Sequence, residues 1–432
     1  MALSFEKLEQ LQEQLRLWLE LKQEYRSPEV DAMLGQAEDT LAALVSKAEE
    51  LPEDSALKAL EPDDLDSIRS LRPQGPRTLL DGISDADLDD QIAAAVNARF
   101  AACVLGVPVE CFTVQEMRDL ALYSGTPFPP TEYWHGTNHG DWIQYDRSPR
   151  TSFLKQNMTA CPADDDINYT LVGLEIMEKY GFGFTTEDIA EYWKQHLGFT
   201  AFTAELAVLH NLADGVEPLR AADVNNPYVQ YIGAFIRSDP WAYACAGQPE
   251  KAAEFAWRDA FLTHRRNGIY GEMYFAAAQA AAFATRNIRQ ALEIGLTEIP
   301  AECTLAKDLR WALEKADAFT DWETGRKLVD ERFPGLNMVH TNNNACLVIF
   351  ALLHCGGDFT KLASEIVAMG LDNDCTAATA GSIFGAVYGT KAIPSCWTEP
   401  FHDTVESYIA GIPTMKISDV SARFAKLARS NR

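Results

Sequence analysis

At 432 residues, 47% of them apolar and 10% aromatic, the chain can bury a large core, and its length admits one large domain or two to three smaller ones. Sixty-three acidic residues against 37 lysines and arginines leave a formal net charge of -26, which argues against binding to a phosphate backbone and against nucleic acid as a partner. Nine cysteines, an odd number without a C-x-x-C pair, do not make a disulfide framework, so a reduced, cytoplasmic protein is expected.

Along the chain, MALSFEKLEQ shows neither a basic n-region nor an apolar h-region. The longest strongly apolar run, ACLVIFALLHC, is too short for a bilayer, so neither export nor membrane insertion is expected. Phe5, Leu8, Leu11, Leu15, Trp18 and Leu19 recur at helical spacing among charges, which predicts a helical N-terminal extension over residues 1–75, packed as a helical pair on the main body. The prolines and glycine of LRPQGPRTLLDG break that pattern. Beyond it, over 76–432, long helical patterns dominate and period-2 β-branched runs are few, which predicts an all-α body. Tyr123 to Arg150, dense in Pro, Gly and aromatics, is long enough for a functional loop or lid.

Two acid clusters stand out. Asp164, Asp165 and Asp166 precede a periodic apolar set, Ile167, Leu171, Leu174 and Met177, that closes at Gly181, so the acids open a helix. One or two negative groups suit a helix N-terminus, but three adjacent carboxylates repel one another, and a cation between them would relieve this. Asp372 and Asp374 enter a second helix whose Gly381, Gly385 and Gly389 are spaced four apart, with Ala377 on the same stripe. Glycine inside a helix costs about 1 kcal/mol relative to alanine, so the stripe implies burial with a second backbone very close, expected to be the helix bearing the other acids. Carboxylates at the mouth of such a helix must be paired, protonated or metal-bound, and all-oxygen ligands favour Mg, Ca or Mn. An EF-hand fails, because its Gly and Glu positions counted from Asp372 hold Ala377 and Ile383. A terpene-synthase-like reading fails as well, with Ala377 and Gly381 where Ser/Thr and Glu should stand.

Four separated segments, LGVPVE (105–110), DDDINYTLVGL (164–174), the stretch 231–278 that contains LTHRRNGIYGEM, and GLDNDCTAATAGSIFGAVYG (370–389), together resemble the ADP-ribosylglycohydrolase family, over roughly residues 60–432. A bacterial branch with a helical N-terminal extension is the part of the family it looks like. The resemblance implies a compact, orthogonal multi-helix, all-α domain with a central cleft containing two Mg ions, held by Asp164, Asp165 and Asp166 from one side and Asp372 and Asp374 from the other. It implies that the metals hold the vicinal hydroxyls of the distal ribose and position a water for hydrolysis of the glycosidic bond to an acceptor, on a protein side chain or a small molecule. Glu110, Asp165 and Asp374 would be the catalytic carboxylates, and His264, with Tyr270, Asn343 and Asn344, would contact substrate. The sequence departs from the family pattern at Cys375, where a Thr or Ser hydroxyl usually serves the second metal, at Ile167, and at Ala102, where an alanine in place of glycine would narrow the pocket. A catalytically silent ADP-ribose-binding or structural homologue, or a hydrolase of another N-ribosyl compound, is the alternative.

Overall fold

In the computed structural model, which describes residues 5–81, 83–137, 150–198 and 200–432, the chain divides into two units. The first comprises Met1–Ala59 with Pro334–Leu336, and the second Leu60–Phe333 with Asn337–Arg432. Helices Glu6–Glu24 and Val30–Glu49 form the bulk of the first, and the apolar residues of the expected stripe, Phe5, Leu8, Leu11, Leu15 and Trp18, are exposed.

The boundary lies at Leu60 rather than at residue 75, and buried charge is the reason. The Glu61 carboxylate accepts hydrogen bonds from Thr304 N (2.7 Å) and Oγ1 (2.6 Å), Arg266 Nε (2.8 Å) and Asn267 Nδ2 (3.1 Å). Arg72 and Arg77 both pair with the buried Glu298, at 2.5 and 2.6 Å. Residues 60–77 are thereby fixed in the larger unit.

That unit is built around two helices in backbone contact. Asp85–Gly106 starts at Ser84, whose hydroxyl caps Asp87 N, and it is buried along most of its length. By composition and length this helix could cross a membrane, but 89% of the window that qualifies is buried against the rest of the protein, as for a core helix. Asn373–Tyr388 runs antiparallel against it. A Cβ on Gly381 would stand 2.4 Å from Ala98 O, and one on Gly385 2.4 Å from Ala94 C and O. The close neighbour of the glycine stripe is therefore this helix and not the one bearing the Asp164 cluster. Gly389 has a separate role: with φ at +75° it ends the helix. Ala102 lies 3.2 Å from the Gly381 Cβ position, inside the helix crossing, so it does not narrow the pocket.

The helices Asn267–Thr285 and Thr341–His354 complete the core around this pair. Among the described residues the single sheet is an antiparallel hairpin, Thr404–Ile409 with Ile412–Lys416. It does local work: Cys161 N donates to Thr404 O (2.8 Å) and Glu406 N to Cys161 O (2.9 Å), which anchors the approach to the first acid cluster. The fold is all-α with this one addition.

Candidate functional site

The first wall is the N-terminus of helix Asp165–Tyr180. Asp164 is its cap, in extended backbone, and its Oδ1 accepts from Asp166 N at 3.2 Å. The same Oδ1 takes the Cys103 thiol at 3.3 Å, and Oδ2 faces Arg150 Nη1 at 3.4 Å. Asp166 is fully buried. Arg99, from the central helix, donates through Nη2 to the Asp166 carbonyl (2.7 Å), lies 3.3 Å from its Oδ1, and pairs through Nη1 with Asp239 at 2.7 Å. Asn168 holds the same helix to the hairpin, its Oδ1 accepting from Ser407 Oγ at 3.0 Å and Tyr408 N at 3.3 Å.

The second wall is the N-terminus of Asn373–Tyr388. Leu371 adopts φ +64° immediately before it, and Cys111, at φ +61°, donates its N–H to the Leu371 carbonyl at 3.2 Å. Left-handed backbone in a non-glycine residue is strained and is kept only where the surroundings fix it. Here Asn344 Oδ1 accepts from Asp372 N (3.2 Å), and Asn373 Nδ2 donates to Val367 O (3.1 Å) and Val109 O (3.3 Å). Gly106 permits the final approach, since a Cβ there would stand 2.4 Å from Asp374 Cα. The end of one core helix, leading to Glu110, thus meets the start of the other.

Three groups of donor atoms lie within 4.8 Å of one another: Glu110 with Asp372 and Asp374, Asp166 with Asp374 and Cys375, and Cys103 with Asp164 and Asp166. Asp372 makes no side-chain cap bond, and Asp166 Oδ2, Asp372 Oδ1 and Asp374 Oδ1, all buried, accept no hydrogen bond from the described residues. A solvated cap would not leave them so. Burial and mutual repulsion hold the carboxyls of Asp164, Asp166 and Asp372 well above the ordinary range and push Asp374 up to about 8. Glu110 is raised too, by burial, although Arg150 Nη2 at 2.7 Å pulls it the other way. Carboxylates in this state call for cations, and the oxygen-rich donor set fits a divalent metal.

The walls face a cavity of about 100 Å³ onto which Glu110, Asp165, Asp372, Asp374 and Cys375 open, with Arg150 at one side and Glu205 at another. Tyr231, Ile232 and Val339 supply apolar surface. The other residues expected at substrate lie elsewhere. Tyr270 is fully buried and its hydroxyl donates to Pro62 O at 2.5 Å, within the core. Asn343 Nδ2 donates to Asn337 O (2.9 Å), while Asn344 Nδ2 donates to Met338 O (2.7 Å) and His340 O (2.8 Å). Asn344 thus positions Asp372 rather than facing the cavity. His264, also fully buried, pairs through Nδ1 with Thr263 Oγ1 at 2.7 Å behind Glu205, and burial with Arg237 and Arg265 nearby keeps it neutral. Among the described residues none of the four lines the cavity, because the helices bearing Tyr270, Asn343 and Asn344, and the extended residue His264 just after helix Pro249–Thr263, turn these side chains into the packed interior. Of the expected loop 123–150, residues 138–149 lie outside the described residues.

Arg99, Arg150 and Glu205 carried no signal in the sequence analysis. Only Arg150, closing the Pro- and aromatic-rich segment beside the acid cluster, stood next to a feature already singled out.

The sequence profile of the ADP-ribosylglycohydrolase family matches residues 84–429. The chain belongs to the ADP-ribosylglycohydrolase family. That membership makes it a hydrolase of the ADP-ribosyl class, and the matched stretch holds both walls of the site. A solved structure described as an ADP-ribosylglycohydrolase-related protein complex shares the fold, with a TM-score of 0.53 at 20% identity over 80% of this chain and 100% of that one. No curated protein matches the chain.

Proposed function

We propose that this ADP-ribosylglycohydrolase cleaves the glycosidic bond between ADP-ribose and an acceptor, a protein side chain or a small molecule, and depends on Mg. The observation that carries this reading is the convergence of buried carboxylates from two helix N-termini: Asp372 and Asp374 open onto the cavity, Asp166 brings a donor atom within 4.8 Å of those of Asp374 and Cys375, and each of the three leaves one oxygen without a hydrogen bond from the described residues. We assign Asp164, Asp165, Asp166, Asp372 and Asp374 to hold two metal ions, with Glu110 beside them. Divalent cations bound there would polarise a water and grip vicinal hydroxyls of the distal ribose.

The protein's own groups then divide the remaining tasks. Asp165, half-buried on the cavity wall, is placed to orient a ribose hydroxyl or the attacking water. Glu110, its affinity for a proton raised by burial, suits a group that takes a proton from water and returns it to the leaving atom. Arg150 limits that affinity by its ion pair with Glu110. The apolar side of Tyr231, Ile232 and Val339 would keep bulk water from the reacting carbon. His264, Tyr270, Asn343 and Asn344 take positioning and packing roles in this scheme.

A second reading, hydrolysis of another N-ribosyl compound, is favoured by one observation: about 100 Å³ is well below the roughly 300–1,000 Å³ of pockets that enclose a larger ligand, and suits a ribosyl group alone. Release of free ADP-ribose from ADP-ribosylated arginine and serine substrates, with Mg and then with excess chelator, tests both. Release that stops with chelator is expected and names the acceptor. Absence of release from either, with Mg-dependent cleavage of a simpler N-riboside, would replace the first reading with the second.

A further inference from the structure

We propose that the second metal position of this site takes a thiophilic divalent cation, such as Zn, through the Sγ of Cys375 together with Asp166 and Asp374, beside an all-oxygen position at Glu110, Asp372 and Asp374. This rests on the two-metal reading above and adds to it the identity of one ion.

The two donor groups differ in kind. Glu110, Asp372 and Asp374 offer only oxygen, which suits a hard cation such as Mg that keeps part of its hydration shell. Asp166, Asp374 and Cys375 place a sulfur among carboxylates, with all three donor atoms within 4.8 Å. A neutral thiol is a poor partner for Mg, whereas thiolate favours softer ions, and Zn accepts mixed sulfur and carboxylate donors at about 2.3 and 2.0–2.2 Å.

Cys375 is buried in the first turn of its helix, against the carboxylates of Asp166 and Asp372. Bound to a cation, it loses the Sγ–H proton to solvent as the Sγ–metal bond forms, and the acids around it become favourable. The independent sign of a ligand is the pair of buried oxygens at this position, Asp166 Oδ2 and Asp374 Oδ1, which accept no hydrogen bond from the described residues; the two residues are 0% and 2% exposed. Cys103 is the competing donor, in a group with Asp164 and Asp166. It is the weaker candidate because its thiol already donates to Asp164 Oδ1 at 3.3 Å and, unlike Cys375, it is not among the described residues that line the cavity.

The test is titration of the full-length, chelator-treated protein with Co in saturating Mg, read as the near-ultraviolet thiolate-to-metal charge-transfer band. The band is expected at one equivalent, retained in Cys103→Ser and lost in Cys375→Ser, with Zn displacing Co and at least tenfold weaker Zn binding in the Cys375 variant. No band in the wild-type protein, or a band that survives Cys375→Ser and vanishes in Cys103→Ser, overturns the assignment. Melting curves establish that the variants fold, and Cys375→Ala, smaller and without a donor, replaces the serine variant if that one does not. ADP-ribose release separates the two readings: a band without release rejects only the proposed substrate, and Mg-dependent release without a band rejects only the thiophilic site.

Discussion

Two buried clusters of acids lie in the larger unit, and they are built oppositely. Around Arg237, itself buried, Asp259 lies 2.5 Å from Nε, Glu205 pairs with Nη1 and Glu272 stands 3.7 Å from Nη2, while Thr263 Oγ1 accepts from Nη2 at 2.9 Å. There the chain supplies its own cation at the centre. At the proposed metal site Arg99 and Arg150 touch only the edges, and oxygens of Asp166, Asp372 and Asp374 receive no hydrogen bond from the described residues. The first arrangement is a structural keystone, and the second is the one we propose as a binding site. What distinguishes them is where the compensating charge comes from, not the number of acids.

The comparison is most sharply tested by removing one charge from each cluster. Asp374→Ala should lower turnover by at least about 10³-fold, because it belongs to two of the three donor groups, while the metal-free variant melts no lower than wild type. A variant that keeps turnover, or that unfolds, would erase the distinction. Arg237→Met should do the reverse and leave three carboxylates buried without their cation, a loss of about 3–5 kcal/mol in denaturant unfolding.

Proton linkage separates the clusters more gently. In the metal-free protein the carboxyl of Asp374 sits at about 8 rather than 3.8, so between those values the fold holds a proton that the unfolded chain has released. Stability should therefore fall as pH rises from about 5 to 8, by roughly 3–4 kcal/mol from this group, and Asp374→Asn should make the fall shallower, the remainder coming from Asp164, Asp166 and Asp372, which are raised in the same direction. Saturating metal competes with the proton and should do likewise; denaturant midpoints at the two pH values, with metal and with chelator, measure it.

Gly385→Ala would force the two core helices apart at Ala94, with about 1–3 kcal/mol lost and weaker metal binding, since the same pair carries the second wall. Calorimetry of metal binding beside a melting curve reads both. The smallest effect expected is for Tyr270→Phe, which removes one buried hydrogen bond to Pro62 and should cost about 0.5–1.5 kcal/mol with KM unchanged. A raised KM would return Tyr270 to the substrate.

The acid motifs were legible because they are local: Asp164–Asp166 and Asp372–Asp374 each sit at a helix start whose periodicity follows directly in the sequence. The glycine stripe was legible as a demand for close packing, since Gly381 and Gly385 are otherwise unfavourable in a helix. Its partner was not, because any helix with a small-residue face would satisfy that demand, and the one chosen carries Ala94 and Ala98 rather than the other acids. The boundary at Leu60 was hidden for a related reason: Glu61 finds Arg266 and Thr304 more than 200 positions away.

What the sequence determined by itself is the helical class, the family and the identity of the acids, each carried by residues close together along the chain. The tertiary structure alone decided which carboxylates face the cavity, which face an arginine and that Glu110 and Glu205 do both, and it turned His264, Tyr270, Asn343 and Asn344 inward. Charge compensation in a buried site depends on distances of a few ångströms between segments far apart in sequence, and only the packed chain sets those.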